Sequence, residues 1–155
     1  MDSRGVETYN SFMPDECNNP LDHQGVANLL RSHVITPTRP RVEIGLVLFA
    51  DHQHLCADEI LERVNRSAQR HVSKATIYNT LGLFAERGLL RQLVIDPTRI
   101  YYDSNTKPHH HFFNVESGEL TDIDPHDIDL QQLPVIPAGM VSDGIDVIVR
   151  IRAAH

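Results

Sequence analysis

Three consecutive histidines, His109, His110 and His111, are the residues of this sequence best suited to bind a metal or a cofactor. In an extended chain successive side chains point to opposite faces, so we expect His109 and His111 to serve one site while His110 faces another. Imidazole and carboxylate together suit iron, manganese and zinc. Carboxylates lie nearby at Asp103, Asp122, Asp124, Asp127 and Asp129. We therefore predict a metal or haem site at the run, although the acidic stretch 122–129 is also compatible with a solvated loop.

A second group of residues has the pattern of a DNA-contacting helix. Ser73 is a good N-cap and Gly88 a good stop, which predicts a helix over 73–87. Ile77, Leu81 and Phe84 recur at helical spacing and form one buried stripe. The other face carries side chains that can contact phosphates, base edges or thymine methyls, namely Ser73, Lys74, Thr76, Tyr78, Asn79 and Thr80.

The elements around these residues indicate a winged helix-turn-helix. Helices are predicted from Val26, from Pro40 and over 57–67, and each carries apolar residues at helical spacing. Strands over 89–95 and 99–103 flank a turn at 96–98 and form a hairpin, with Arg91 placed on the wing. The alternative is an ordinary helix-and-hairpin packing unit that does not bind nucleic acid.

The C-terminal part is predicted to be a small α/β unit. Short strands are expected around Phe112 and Glu119, with a short helix near Pro125. Residues Ile145, Val147, Val149 and Ile151 alternate with other residues, which is typical of a half-buried strand. The unit is small for a core of its own, so burial against a second copy is expected. The fold class is α+β, with a mobile arm (1–25), a winged-helix DNA-binding domain (26–105) and a dimerisation and sensing domain (106–155).

The charge is divided along the chain. The net charge of −7 combines −4 in 1–25, +3 in 26–101 and −6 in 102–155, counting Lys and Arg against Asp and Glu. A basic middle beside an acidic end fits a DNA module joined to a cation-binding module. Two cysteines, Cys17 and Cys56, exclude a disulfide framework and a four-cysteine zinc site. Neither a membrane span nor a secretory signal is predicted, so a cytoplasmic location is expected.

These motifs together resemble the ferric uptake regulator family. The resemblance covers residues 26 to 151 and is carried by four segments, at 38–41 (T-R-P-R), 54–61 (H-L-C-A-D-E-I-L), 73–81 (S-K-A-T-I-Y-N-T-L) and 102–111 (Y-D followed by H-H-H). It implies that Tyr78 contacts DNA from the recognition helix and that Arg39 or Arg41 approaches the groove or backbone. It also implies a hinge site with His54, Asp103, His109 and His111 as ligands, and Asp129 as the nearest match to an acidic ligand for His110.

Two departures from the family pattern narrow the resemblance. Typical members continue the histidine run as H-H-H-D-H, whereas this chain has Phe112 and Phe113. Typical members also carry C-x-x-C pairs, which residues 114–117 lack, so no structural zinc is expected. This combination is similar to the haem-responsive iron response regulator branch. Imidazoles are good axial ligands of haem, and Phe112 and Phe113 suit a porphyrin face, although core packing is the more ordinary role of these two phenylalanines.

The sequence therefore predicts a homodimeric transcriptional regulator that controls iron or haem homeostasis genes. Its expected partner is an A·T-rich, pseudo-palindromic DNA duplex, and its expected ligand is iron or haem at the histidine-rich hinge. The alternative within the family is a repressor that senses manganese or ferrous iron, with zinc as a further ligand of the hinge. A small non-haem metalloenzyme is the remote alternative, because we find neither a nucleophile–base pair nor a phosphate loop.

Overall fold

Four helices account for most of the described residues up to Glu86. The structure is a computed structural model and describes residues 20–67, 71–131 and 133–154. Its helices are α1 (His23–Ser32), α2 (Arg39–Leu48), α3 (Ala57–Ser67) and α4 (Lys74–Glu86). Their apolar faces enclose a core whose most buried members are Val26, Leu30, Ile44, Leu48, Ile60, Val64, Ile77, Leu81 and Phe84.

Within the described residues, six strands form two three-stranded sheets. The first sheet, here called the wing sheet, has the order β1-β3-β2 and is antiparallel; its strands are β1 (His54–Cys56), β2 (Arg91–Asp96) and β3 (Arg99–Asp103). The second sheet has the order β5-β4-β6; its strands are β4 (His110–Asn114), β5 (Leu120–Ile123) and β6 (Ile148–Ile151). Within it β5 is antiparallel to β4, and β6 is parallel to β4.

The two faces of β3 belong to two different cores. Tyr102 is buried in the helical core. Tyr101, on the opposite face, is buried in a smaller cluster with Leu93, Ile95 and Leu120. Because Leu120 comes from β5, this second core lies between the wing sheet and the second sheet. The wing sheet is thus the element that connects the helices to the C-terminal part.

Most of the secondary structure predicted for residues 57–103 is confirmed. The helix α3 spans the residues expected for it, and α4 lies between the predicted N-cap Ser73 and the predicted stop Gly88. The hairpin has its turn at residues 97–98. The Ser73 side chain accepts a hydrogen bond from the Thr76 backbone N–H at 3.1 Å, as expected of an N-cap.

The helix α1 begins earlier than predicted. It starts at His23 because Asp22 caps it, with Oδ1 accepting from the Gly25 backbone N–H at 2.7 Å. The predicted arm over 1–25 therefore ends before this helix. Its residues 1–19, with Cys17, lie outside the described residues.

In the strand near the C-terminus, the face that packs within this chain is not the one that the alternation marks as apolar. The strand β6 begins at Ile148, and it is Ile148 that packs against the second core. Val149 and Ile151, which were expected to face inward, are 38% and 41% exposed. Alternation along the strand shows where its two faces are, but it does not show which face the rest of the same chain covers. The expected helix near Pro125 is a single 3-10 turn, Pro125–Asp127, capped by Asp124.

Gly45 allows the close approach of α1 and α2. A methyl group added there would lie 2.5 Å from Cγ1 of Val26, which is fully buried and stiff at χ1. We predict that Gly45→Ala lowers the free energy of unfolding by about 1–3 kcal/mol, the usual cost of overpacking. Gly82→Ala is the matched control on α4, where an added methyl meets no atom within 4 Å. It should raise stability by roughly 0.5–1 kcal/mol, as measured by urea denaturation. Equal effects at the two positions would contradict this packing.

Among the described residues, no helix is long and apolar enough to cross a membrane.

Candidate metal centre and DNA-binding face

The register of the wing sheet brings two predicted ligands together. His54 on β1 lies directly opposite Asp103 on β3, and directly opposed residues of an antiparallel pair project to the same face. This is the face that carries Tyr101, two residues before Asp103, so both side chains point toward the second sheet. The wing sheet thus supplies one half of a site at the junction of the two sheets.

The second sheet supplies the other half. His109 precedes β4 and His111 lies on it, so the two side chains share a face, as the alternation in the sequence predicts. Asp122 on β5 lies directly opposite His111. All five residues meet between the sheets, where their ligand atoms lie within 4.8 Å of one another. We call this group the His/Asp cluster: His54, Asp103, His109, His111 and Asp122.

The two carboxylates stand among the three imidazoles. Oδ2 of Asp103 lies 2.9 Å from Nε2 of His109 and 3.4 Å from Nε2 of both His54 and His111. Oδ1 of Asp122 lies 2.9 Å from Nε2 of His54 and 3.4 Å from Nε2 of His109. Five donor atoms from two sheets therefore point toward one small volume.

The cluster is buried, and its polar atoms lack ordinary partners. Asp103 is 1% exposed and His111 is 0% exposed, whereas Asp122 at the rim has a side chain 39% exposed. Within the described chain, Nε2 of each histidine and Oδ2 of Asp103 are buried without a hydrogen bond of acceptable geometry. A buried polar atom without a partner is costly, so several of them aimed at one another require an explanation. A cation bound between them would satisfy all of them at once, and the residues present fit such a group.

Burial and the close approach of imidazoles and carboxylates shift the pKa values of the cluster. Burial lowers the pKa of His54 and of His109, but the adjacent carboxylates outweigh it and raise these pKa values to about 9 and about 10. Burial raises the pKa of Asp103 and of Asp122, but the surrounding imidazoles outweigh it and hold both pKa values below the usual range. At neutral pH the metal-free cluster therefore holds protons where a bound cation would supply positive charge.

The backbone orients one of the ligands. Nδ1 of His109 lies 2.7 Å from the Lys107 carbonyl oxygen, to which it donates. Because Nδ1 keeps its proton in this hydrogen bond, it is Nε2 that loses a proton when the ring becomes neutral and then presents its lone pair to the cluster. A backbone carbonyl in this role is a common outer partner of a metal-ligating histidine.

Two predicted metal ligands lie outside the cluster. His110 is buried on the opposite face of β4, where its Nδ1 accepts from the Val147 backbone N–H at 3.2 Å. An accepting Nδ1 places the proton of the neutral ring on Nε2, so His110 acts here as a structural residue that joins β4 to the segment before β6. Asp129 is exposed and pairs with Gln131. We therefore correct the prediction that these two residues bind metal.

Asp122 was considered as a nearby carboxylate but was not assigned as a ligand. The signal that identifies it is register, because a short turn between two strands places it across from His111. Asp129 matched the family position better in sequence, but it lies beyond the end of β5 and beyond the 3-10 turn.

The outward face of α4 carries most of the predicted DNA-contacting side chains. Tyr78 is 46% exposed, and Lys74 lies over its ring at 5.8 Å from the centroid. Lys74 also forms an exposed ion pair with Asp58 on α3 at 2.8 Å. The exposed and half-exposed members of this face are Ser73, Lys74, Thr76, Tyr78 and Asn79. Thr80 is 4% exposed and belongs to the core side of the helix, which corrects its predicted place on the outward face.

The predicted arginine contacts differ in their surroundings. Arg39 at the start of α2 has a side chain 54% exposed, with Glu43 at 4.0 Å. Arg41 donates to the Thr36 carbonyl at 2.9 Å. Arg91 does not point away from the protein on the wing. Its side chain is 22% exposed and forms an ion pair with Asp146, which precedes β6, because the face of β2 that carries it covers the second sheet. Its prediction as a DNA contact is therefore withdrawn.

The fold and the cluster define an α+β protein in which four helices and an antiparallel sheet are joined through a candidate metal centre to a small second sheet, an arrangement consistent with the predicted winged helix. The family model for the ferric uptake regulator family matches residues 34–143. The chain belongs to this family.

Comparisons with individual proteins agree with that assignment. The chain is 31% identical over 106 residues to the peroxide-responsive repressor PerR of Staphylococcus epidermidis, which covers 66% of this chain and 69% of the relative. The structure of the ferric uptake regulator from Pseudomonas aeruginosa with manganese matches with a TM-score of 0.65 at 22% identity, over 84% of this chain and 98% of that one. A zinc-bound manganese uptake regulator matches with a TM-score of 0.66 at 18% identity, over 83% and 98%. At these identities the two structures show the fold, which confirms the predicted α+β class.

Proposed function

We propose that this protein is a homodimeric transcriptional regulator whose affinity for DNA depends on a divalent cation bound by the His/Asp cluster. The observation that carries the proposal is the convergence of five buried or half-buried nitrogen and oxygen atoms, most of which lack a hydrogen-bond partner within the described chain. Manganese and iron enter as candidates through the chemistry of this donor set, and the names of the similar proteins give the same ions.

The charge and the donor types favour a divalent ion. Once its three imidazoles are deprotonated, the cluster with its two carboxylates has a charge of −2, which a divalent cation neutralises. Mixed imidazole and carboxylate donors suit ferrous iron, manganese and zinc. Five protein donors also leave little room for a substrate on the ion, whereas a metalloenzyme needs an open position. The enzyme alternative is therefore weaker than regulation.

The position of the cluster suggests how cation binding changes the affinity of the protein for DNA. His54 and Asp103 belong to the wing sheet, whereas His111 and Asp122 belong to the second sheet and His109 directly precedes it. A cation held by both groups favours the arrangement in which the sheets are close. Because a ligand shifts an equilibrium only by its differential affinity for two states, an arrangement that separates the donors is disfavoured when the cation is bound. In a dimer, the close arrangement of the two sheets fixes the spacing of the two α4 helices.

An exposed apolar face supports dimer formation. Phe112 on β4 is paired with Val149 on β6, and the two side chains project from the side of the second sheet that faces away from the wing. Together with Ile151 they are 37–41% exposed. We propose that a second copy covers this face, and that the dimer reads an A·T-rich, pseudo-palindromic duplex with one α4 helix in each half-site.

Haem is the second candidate ligand, favoured by the histidine run and by Phe112 and Phe113. His109, His110 and His111 are 5%, 7% and 0% exposed, so a porphyrin reaches them only if the sheets separate. Haem would then select the open arrangement and act in the opposite direction to a small cation. The same titration distinguishes the two ligands, because a cation should raise DNA affinity and haem should lower it.

The test begins with DNA selected from a random duplex pool by the Mn²⁺-loaded protein. The selected duplex is then titrated in the presence of Mn²⁺, of Fe²⁺ without oxygen, of haem, or of a chelator. We expect tight binding with Mn²⁺ or Fe²⁺ and weaker binding with the chelator. Equal affinity under all four conditions would contradict the proposed regulation, and selection of no duplex would contradict DNA recognition.

The cluster also predicts how metal affinity depends on pH. His54 and His109, with pKa values raised to about 9 and about 10, must lose protons before their Nε2 atoms bind a cation. Affinity should therefore rise with pH between pH 6 and 8, by roughly ten- to hundredfold per pH unit for one to two protons released. The carboxylates remain ionised over this range and add no slope. Calorimetry with Mn²⁺ in two buffers of different ionisation enthalpy counts the protons, and an affinity independent of pH would contradict the prediction.

A further inference from the structure

Arg91 lies in the same row of the wing sheet as two residues of the cluster. It is the register partner of Asp103, which in turn lies opposite His54. Because directly opposed residues in antiparallel strands project to one face, the Arg91 side chain leaves β2 on the side of the cluster. With its side chain 22% exposed, it runs along the junction of the two sheets.

Its guanidinium group joins three separate segments. Nη1 donates to the Lys107 carbonyl oxygen at 3.2 Å, and this is the same oxygen that accepts from Nδ1 of His109. Nη2 forms an ion pair with Asp146. The side chain thus connects β2, the linker that carries His109, and the segment that leads into β6.

Both ends of this connection reach a ligand of the cluster. At one end, a carbonyl held by Arg91 keeps the imidazole of His109 in the orientation that presents Nε2. At the other end, Asp146 is next to Val147, whose carbonyl oxygen accepts from the His111 backbone N–H at 3.1 Å. Outer contacts of this kind set the direction of a ligand without touching the ion.

We propose that Arg91 is a positioning residue of the metal centre, acting through the Lys107 carbonyl on His109 and through Asp146 on the strand that carries His111. The proposal rests on the proposed function of the cluster as a cation site. It gives Arg91 a role at the junction in place of DNA contact, and it requires both the planar fork of the guanidinium group and its charge. Lysine at this position retains the charge but cannot bridge two acceptors with fixed geometry.

Arg150 provides a matched control. Its Nη2 donates to the Ile95 carbonyl at 3.1 Å, so it too joins the second sheet to the wing sheet. In the structure, this contact involves neither a residue of the cluster nor the Lys107 carbonyl. Loss of a polar contact between the sheets is therefore common to Arg91→Ala and Arg150→Ala, whereas loss of ligand positioning is expected only for the first.

The experiment compares wild type, Arg91→Ala, Arg91→Lys, Asp146→Asn and Arg150→Ala as full-length proteins. Three properties are measured: the Mn²⁺ dissociation constant, the ligand-field absorption spectrum of bound Co²⁺, and the thermal midpoint of the metal-free protein. We expect Arg91→Ala to weaken Mn²⁺ binding by about 10- to 100-fold and to alter the Co²⁺ spectrum. Arg91→Lys and Asp146→Asn should show smaller changes in the same direction, and Arg150→Ala should retain the wild-type dissociation constant within about threefold.

Each outcome leads to a definite conclusion. If Arg91→Ala and Arg150→Ala lower the thermal midpoint alike but only Arg91→Ala changes the Co²⁺ spectrum, the positioning role is supported. If Arg91→Ala has the wild-type dissociation constant for Mn²⁺ and the wild-type spectrum of bound Co²⁺, the positioning role is wrong while the cation site stands. If wild type itself binds neither Mn²⁺ nor Co²⁺, the cation site is wrong, and the role of Arg91 is overturned with it.

Discussion

Asp103→Asn should weaken Mn²⁺ binding by on the order of 100-fold or more, the largest loss from any single change that keeps the shape of the side chain. Oδ2 of Asp103 lies within 3.4 Å of Nε2 of all three histidines of the cluster, and the residue is 1% exposed. Asparagine replaces an anionic ligand with a neutral one in a place that water does not screen, so the cation loses both a bond and half of its compensating charge.

The substitution is chosen so that the fold survives it. Oδ1 of Asp103 accepts from the Asn105 backbone N–H at 2.8 Å, and the amide oxygen of asparagine can keep this bond. Loss of the Asp103 carboxylate removes one of the two carboxylates that raise the pKa values of His54 and His109, so the metal-free variant holds its protons on these imidazoles less tightly. Thermal unfolding of the metal-free variant, followed by circular dichroism, checks that its secondary structure is intact.

Asp129→Asn is the control for this prediction. Asp129 has the same chemistry but is exposed and lies outside the cluster. Its replacement should leave the Mn²⁺ dissociation constant unchanged, whereas Asp122→Asn should give an intermediate loss because that side chain is 39% exposed at the rim. Wild-type affinity in Asp103→Asn, or a large loss in Asp129→Asn, would show that the cation binds elsewhere.

Tyr78→Ala should weaken binding to the selected duplex by about 1–3 kcal/mol, or roughly 5- to 150-fold, with little change in the thermal midpoint. Tyr78 is 46% exposed on α4, whereas its neighbour Ile77 is fully buried in the helical core. Removing the phenol therefore takes a contact from the DNA without opening a cavity.

The neighbouring residue provides the contrast. Ile77→Ala should cost about 2–5 kcal/mol of stability, because it leaves a cavity in a packed core. Fluorescence anisotropy gives the DNA affinity and chemical denaturation gives the stability for both variants. If Tyr78→Ala unfolds the protein, Tyr78 is a core residue and the assigned outward face of α4 is wrong. If the variant binds DNA as tightly as wild type, Tyr78 does not contact the duplex.

The parts of the fold that were predicted correctly carry strong local signals. The helix α4 has an N-cap serine, a stripe of Ile77, Leu81 and Phe84, and Gly88 directly beyond its C-cap, where φ is +75°. Caps, periodicity and stop agree with one another, so the helix could be bounded from the sequence alone. The alternation of side chains along the histidine run was predicted equally well, because it is a local property of an extended chain that tertiary contacts did not override.

The parts that were missed depend on contacts distant in sequence. The strand β1 has only three residues, too few for a periodic signal, and exists because it pairs with β3. Strand register decides that Asp122 rather than Asp129 joins the cluster. The position of the Arg91 side chain depends on an ion pair with Asp146, 55 residues further along the chain. In β6 the sequence shows two faces, but only the position of the wing sheet decides that Ile148 is the one facing it.

The dependence of DNA affinity on Mn²⁺ in wild type and in Asp103→Asn tests the central claim most directly. Anisotropy of the selected duplex is measured for both proteins at matched ionic strength, with Mn²⁺ and with a chelator. If the His/Asp cluster controls DNA binding, Mn²⁺ should increase the DNA affinity of wild type at least tenfold, a coupling of about 1.4 kcal/mol. Control by the cluster also predicts that Asp103→Asn, with or without Mn²⁺, binds the duplex with the affinity that wild type has in the presence of the chelator. An equal response to Mn²⁺ in the two proteins would contradict control of DNA binding by the cluster.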